Sequence, residues 1–281
     1  MRRHELSDAE WAVLSRFLPS SGTAGRPRSD DRVVLNGIVW KLRTGSSWRD
    51  VPERYGSWQT LYTRFRRWAL DGTFSRMLRA IQAEKDAGGD IDWLVSVDST
   101  IVRAHQHATG GKRGHDRDEA GDHALGRSRG GLSTKVHLAC DGRGRPLAFV
   151  LTGGNTNDCT RLEHVMQAIS VPRIGPGRPR TRPDHVVADK GYSSRKIRTY
   201  LRKRKIKHTI PERIDQASGR LNRGSRGGRP PGFDRRIYKL RNVVERCFNR
   251  LKQWRGLATR YDKTRESYQA TVTIASIMLW I

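Results

Sequence analysis

The pattern of apolar and polar positions changes character along the chain. Up to about residue 85 the period is helical. Ser7 or Asp8, with Glu10 behind it, offers a cap before Trp11, Leu14, Phe17 and Leu18 at helical spacing. Pro19 stops that helix, and residues 20–31 read as a Gly/Pro/Ser linker. A second helix is predicted over 31–43, with Val34, Ile38, Val39 and Leu42 as its apolar face, ended by Thr44-Gly45-Ser46-Ser47. A third is predicted from Ser57 to about Leu70. Its Leu61, Phe65 and Trp68 face inward and leave Thr60, Thr63, Arg64 and Arg67 outside.

From Ile91 the pattern turns to strands. Residues 93–102 are rich in apolar and β-branched side chains, interrupted by Asp98. Residues 103–129 read as a long polar loop. Two strands follow over 132–140 and 146–152, joined by the hairpin turn Asp141-Gly-Arg-Gly-Arg145. Then come a helix (159–170), a strand (185–188), a helix (194–203), a short strand (207–211) and a Gly/Arg-rich loop (212–234). With helices over 238–254 and 266–281, the order describes one α/β sheet layer with an antiparallel hairpin at one side.

Residues 238–254 carry two stripes when read as one helix. Leu240, Val244, Cys247, Leu251 and Trp254 share an apolar face. Tyr238, Arg241, Glu245 and Lys252 fall within about 60° of one another on a separate side. That places one carboxylate between cations where a core meets solvent. Alternating charges of this kind more often mark a salt-bridged surface, so the stripe alone leaves both readings open.

Composition narrows the partners. The 281 residues hold 55 Lys and Arg against 28 Asp and Glu, a formal charge of +27 with only 35% hydrophobic residues. Such an excess implies a polyanion, nucleic acid first. An anionic membrane is the alternative, but no basic amphipathic anchor or long apolar run supports it. Helix, turn, helix with a basic outer face also suits a DNA reader using Arg64 and Arg67. The competing view is a small bundle whose arginines keep it in solution. No apolar signal segment opens the chain. Cys140, Cys159 and Cys247 form no Cys-x-x-Cys pair and fit buried thiols in a reducing cytosol.

The candidate chemistry lies at strand ends, where ligands converge on α/β sheets. Asp98 lies within the first strand and Asp189 ends a later one. Ionised carboxylates in apolar surroundings are costly unless a metal or a cation compensates them. Oxygen-only ligands suit Mg²⁺ or Mn²⁺, and two such ions can activate a water and stabilise the leaving oxygen of a phosphodiester. Taken singly, Asp98 also suits a structural role, and Asp189-Lys-Gly-Tyr192 a tight strand-to-helix turn. His105, His107, His115 and His123, with Asp116, Asp118 and Asp122, lack the paired spacing of a zinc site and read as a polar loop. Asp158 reads first as a helix cap and second as a neighbour of the site. The basic stretches 175–182 and 219–229 are spacers or phosphate-tracking arms.

Asp98-Ser-Thr, Asp189-Lys-Gly-Tyr and Tyr238-x2-Arg241-x3-Glu245-x6-Lys252 resemble the three signatures of DDE transposases from bacterial insertion sequences. The last is the Tyr-Arg-Glu-Lys spacing of the IS-four and IS-five groups. Residues 126–137 and 6–11 are similar to the IS-five family, and the similarity runs from about residue 5 to 280. The resemblance implies an α/β, RNase H-like catalytic core over 90–281, preceded over 1–85 by an all-helical, helix-turn-helix-like domain that helps bind terminal inverted repeats. It implies a metal-binding catalytic triad of Asp98, Asp189 and Glu245, holding two Mg²⁺ or Mn²⁺ ions. Arg241 and Lys252 would hold phosphates, and Tyr238 would meet the DNA backbone. The implied partners are double-stranded DNA, both element ends and target, and further copies of the chain, with work in the cytoplasm at the nucleoid and no membrane. A nuclease or resolvase-like enzyme without strand transfer shares this chemistry. A decayed, non-catalytic DNA-binding protein is a third class, against which the intact carboxylates argue. The apolar ending Met278-Leu-Trp-Ile281, without a polar cap, reads as a missing tail.

Overall fold

The computed structural model describes residues 3–19, 29–109, 123–128 and 130–281. Most of the predicted 20–31 linker, and His115, Asp116, Asp118 and Asp122 of the polar loop, lie outside the described residues. In chain order the elements are α1 (Asp8–Ser15), α2 (Asp31–Thr44), α3 (Trp58–Leu70), α4 (Thr73–Ala87), β1 (Leu94–Ala104), β2 (Gly126–Ser128), β3 (Gly131–Cys140), β4 (Pro146–Gly153) and α5 (Leu162–Ala168). They continue with β5 (His185–Ala188), α6 (Arg195–Lys203), β6 (Lys207–Thr209), α7 (Ile214–Leu221), α8 (Arg235–Lys239), α9 (Asn242–Lys252), α10 (Arg255–Ala258), β7 (Thr259–Arg260) and α11 (Arg265–Ile277). Two compact units result, one of residues 1–81, 102–134 and 249–281, the other of 82–101 and 135–248.

In the first unit, Ser7 and Glu10 close a reciprocal capping box on α1: Glu10 N–H donates to Ser7 Oγ, and Ser7 N–H to Glu10 Oε2. Asp30 caps α2. Gly45 ends α2 at φ +72°, where an added Cβ would lie 2.8 Å from Arg255 Cβ, so both conformation and space call for glycine. Val34, Ile38, Val39 and Leu42 are buried, as are Leu61, Phe65 and Trp68 on α3, as their spacing requires.

The connection from α2 to α3 spans residues 45–57 and holds two 3-10 turns, Trp48–Asp50 and Glu53–Tyr55. A helix-turn-helix joins its helices by roughly three or four residues, so the tight version of that motif is absent between these two helices. The added length is packed: Trp48 lies 5.2 Å from Phe65 and 5.7 Å from Tyr62 between ring centroids. Arg64 does not stay outside as predicted. It turns in, half-buried, to pair with Asp31 at 2.6 Å, with its guanidinium 5.3 Å from the Trp68 ring. Asp31 opens α2, so its charge suits that helix terminus while it neutralises the arginine. Arg67 is exposed. Elsewhere in the unit, buried Arg260 donates to Thr134 Oγ1 and to the carbonyls of Ala124, Asp262 and Lys263.

The second unit is built on a sheet in the order β4-β3-β1-β5-β6. β1 runs parallel to β5 with Val97 opposite Ala188, and β5 runs parallel to β6. A hairpin on one side of the first strand and two helix-linked parallel strands on the other is the RNase H-like order. The hairpin turn is fixed by fully buried Asp141, which accepts from the backbone N–H of Arg143 and Arg145 and from the Arg145 guanidinium at 2.6 and 3.0 Å.

Residues 238–254 are not one helix. Around Leu240 and Arg241 the hydrogen bonds shorten to three-residue spacing, with Leu240 donating to Ile237, Arg241 to Tyr238, Val243 to Leu240 and Val244 to Arg241. Those bonds reset the helical phase between α8 and α9. Leu240, assigned above to the apolar face, is therefore exposed, while Val244, Cys247, Leu251 and Trp254 are buried as predicted. Part of the predicted 212–234 loop is helix α7, and the short strands β2 and β7 were not predicted. Cys140 and Cys247 are buried and Cys159 is half-buried, all three as free thiols.

Trp254 is 1% exposed beneath the Arg43 guanidinium, 3.9 Å from its ring. Trp254→Ala should cost about 3–5 kcal/mol, read from the urea midpoint at unchanged slope. A shift below about 1 kcal/mol would show that this ring does not anchor its unit.

Candidate active site

Strand pairing sets the first two carboxylates. With Val97 opposite Ala188, Asp98 and Asp189 are the next residues along adjacent parallel strands. Asp98 stays in β1, where Oδ1 accepts from Ser99 N–H at 2.8 Å and Oδ2 from Arg241 Nη1 at 3.0 Å. Asp189 leaves the sheet and caps the 3-10 turn Lys190–Tyr192, accepting from Gly191 N–H at 2.8 Å. A Cβ on Gly191 would lie 2.9 Å from Asp189 Oδ1, so glycine lets the carboxylate fold over the turn.

Glu245 stands in the first turn of α9, half exposed, and accepts from Arg241 Nη2 at 2.5 Å. One guanidinium thus bridges Asp98 and Glu245. Asp189 acts on Asp98 only by charge. Among the described residues no three His, Cys, Asp or Glu side chains are grouped closely enough to hold a metal ion as they stand. The donor chemistry still fits a hard divalent ion: the three acids offer only oxygen, and a cation already bridges two of them.

The charges are finely opposed. Burial pushes the Asp98 carboxyl above its ordinary pKa, the Ser99 N–H and Arg241 pull it down, and Asp189 pushes it up again. Burial works against the Arg241 charge, but Asp98 and Glu245 outweigh it and raise its pKa. The Tyr192 hydroxyl is buried beside Ser99, and burial, followed by the charges of Asp98, Asp158 and Asp189, raises its pKa far above the ordinary range.

Asp158 is not a cap. Asn157 caps the turn, donated to by Cys159 N–H, and Asp158 instead accepts from Ser99 Oγ at 2.7 Å and lies 3.0 Å from Lys135 Nζ. His137 Nδ1 is 3.5 Å from the same oxygen, while Nε2 meets Thr152 Oγ1 at 2.8 Å. Burial lowers the His137 pKa to about 4, so it is neutral at pH 7. Ser99, Asp158, Lys135 and His137 therefore form a supporting network beside the carboxylates. The sequence reading did not single out Ser99, Lys135, His137 or Tyr192. The signal was present: Ser99 and Tyr192 lie inside the quoted signatures, and Lys135 and His137 are two apart on one strand, hence on one face.

The remaining predicted residues divide. Tyr238 lies on α8 with its ring 5.2 Å from Phe233 and 6.0 Å from the Arg241 guanidinium. Lys252, seven residues beyond Glu245 on α9, makes no ion pair among the described residues, and burial lowers its pKa. His105 packs against His107 and Tyr261.

Comparison with known proteins gives concordant matches. Residues 6–78 match a family described as putative transposases of the IS4/5 family, and residues 90–280 match the transposase DDE domain. A putative transposase for insertion sequence element IS402 from Burkholderia cepacia is 34% identical over 163 residues, 58% of this chain and 69% of that protein. An uncharacterised protein, y4sN, of Sinorhizobium fredii is 41% identical over 110 residues, 38% of this chain and 83% of that protein. A solved Mos1 transposase paired-end complex aligns over 82% of this chain and 80% of its own at 13% identity, with a TM-score of 0.23, too slight to carry an argument.

In buffer containing EDTA, Asp98→Asn should raise the thermal midpoint at pH 7. The folded-state pKa of Asp98 lies above its unfolded value, so the ionised form costs stability at neutral pH and that cost fades as pH falls through the raised pKa. The gain should therefore shrink toward pH 4. An unchanged or lower midpoint at pH 7 would show that Arg241 fully compensates the carboxylate.

Proposed function

Because this chain belongs to the DDE-domain transposases of bacterial insertion sequences, we propose that it binds the terminal inverted repeats of its element and uses divalent metal ions to cleave DNA and transfer a strand. The observation that carries the site assignment is the shared guanidinium: Arg241 draws Asp98 and Glu245 together, with Asp189 on the strand beside Asp98. A protein does not gather acids around a half-buried point for stability alone, since each ion there must be compensated.

Asp98, Asp189 and Glu245 would hold two Mg²⁺ or Mn²⁺ ions. Once bound, such ions activate a water or a 3′-hydroxyl and stabilise the leaving oxygen of a phosphodiester. The chain's own groups do the positioning. Ser99 and Lys135 hold Asp158 beside the carboxylates, and Tyr192 closes the interior behind them. Arg241 compensates Asp98 and Glu245 in the absence of metal. With metal in place it becomes available, like Lys252, to phosphate oxygens of the transposon end. Tyr238 packs on the DNA backbone.

The region 1–85 contributes end recognition, with Arg64 and Arg67 as its contacts. Arg67 is the readier of the two, because Arg64 must first leave Asp31. Region 90–281 supplies catalysis, and joining two ends calls for a dimer or larger assembly on DNA. We place the work at the nucleoid in the cytoplasm; no described helix is long and apolar enough to cross a membrane.

Glu245→Gln should abolish Mg²⁺-dependent cleavage of an oligonucleotide carrying the element's end, while affinity for that DNA stays within about twofold. Glu245 is half exposed, and its ion pair is worth no more than about 1 kcal/mol to the fold, so the variant remains folded. Undiminished cleavage would remove Glu245 from the triad.

A further inference from the structure

The second unit also contains a cavity of about 1500 Å³ bounded by α6, β6, α7 and the segment leading to α8. Asp98, Asp189 and Glu245 do not line it. Nine of its lining residues are Arg or Lys and three are Asp or Glu, a bias well beyond the chain's own 55 to 28. The acids are already engaged. Glu212 pairs with Arg220 at 3.1 Å, Asp215 with Arg213 at 2.8 Å, and Asp234 accepts from the backbone N–H groups of Arg236 and Ile237. Among the described residues, Arg195, Lys205, Lys207, Arg223, Arg226 and Arg229 have no carboxylate partner.

Arg198 adds an observation of a different kind. Its Nη2 donates to Ser193 Oγ at 3.1 Å and to the Ile210 carbonyl at 3.0 Å, but Nη1 is buried with no partner. A buried donor without an acceptor is costly, more so on a charged group. The cavity wall therefore combines unpaired cations with an orphaned guanidinium N–H, which together call for an anion rich in acceptor oxygens. Phosphate has that chemistry, and arginine suits it better than lysine. A single phosphate would use one or two of these cations. Six, distributed over α6, the β6 edge and the 223–229 loop, match a run of phosphates.

We propose that this cavity grips a phosphodiester backbone, as a second place of DNA contact separate from the carboxylate site. The proposal rests on the reading of the chain as a DNA-cleaving enzyme and adds to it where else along the duplex the protein holds on. It also gives the basic stretch 219–229 its role: these arginines line a cavity rather than space two elements.

The test uses the full chain in EDTA, so that metal-dependent chemistry plays no part. Amide hydrogen exchange is compared for the free protein, the protein with a duplex oligonucleotide, and the protein with inorganic pyrophosphate. Duplex affinity is measured across salt concentrations for the wild type and for the triple variant Arg223→Gln, Arg226→Gln, Arg229→Gln. These three side chains are exposed, so the variant should fold. The expected result is slower exchange over 195–202 and 223–229 with duplex, and a salt slope reduced by about 2 to 3 in the triple variant. Protection by pyrophosphate but not by duplex would make this a small-anion pocket and overturn the proposal. Wild type that binds and, with Mg²⁺, cleaves DNA while showing neither protection nor a changed slope would overturn it and leave the transposase reading standing. Wild type that binds no DNA would overturn both.

Discussion

The guanidinium of Arg241, shared between Asp98 and Glu245, is the interaction on which the proposed active site depends. Its two halves are unequal. Glu245 is half exposed, so that pair contributes at most about 1 kcal/mol. Asp98 is three-quarters enclosed and its carboxyl is pushed toward protonation, so losing its counter-ion would leave a charge poorly solvated, a loss of up to about 3–5 kcal/mol for a fully buried ion. The Asp98 contact therefore dominates, and other features arrange it. Parallel pairing of β1 with β5 puts Asp189 next to Asp98. Arg241 lies where the hydrogen bonding resets between α8 and α9, four residues before Glu245. Ser99 ties the same spot to Asp158, whose charge Lys135 offsets.

Much of this was legible in the sequence, and what was not has identifiable physical causes. Helical periodicity gave the buried faces of α2 and α3, and apolar runs gave the five strands of the second unit's sheet. The signatures gave Asp98, Asp189 and Glu245 as candidates. Periodicity missed the break between α8 and α9 because no proline or glycine marks it. The stretch keeps helix-forming residues and changes only its hydrogen-bond spacing. Helix α7 was hidden by Gly219 and an Arg-rich composition that reads as loop. Arg64 turned inward because of Asp31, an ion pair 33 positions away that no local pattern encodes. Asp158 looked like a cap because it precedes a helix, but Asn157 takes that place and frees Asp158 for Ser99.

Charge is managed in two ways within the second unit. Near the sheet's carboxylates the acids outnumber the cations, with Arg241 and Lys135 facing Asp98, Glu245 and Asp158, and Asp189 beside Asp98. In the cavity beside α6 the cations outnumber the acids, and the acids are spoken for by Arg220, Arg213 and backbone N–H groups. The first arrangement suits a place where positive charge arrives as metal. The second suits a place where negative charge arrives as phosphate. Within the second unit this cavity therefore gathers unmatched cations apart from Asp98, Asp189 and Glu245.

The claim that Asp98, Asp189 and Glu245 form one metal site, with Arg241 standing in as their cation, is tested most directly by Mn²⁺ binding to the full chain without DNA, followed by electron paramagnetic resonance. The account predicts that Asp98→Asn and Asp189→Asn each weaken Mn²⁺ binding by tenfold or more, whereas Arg241→Gln, which removes the competing cation, strengthens it. Mn²⁺ binding unchanged in both aspartate variants, or weakened in Arg241→Gln, would contradict it.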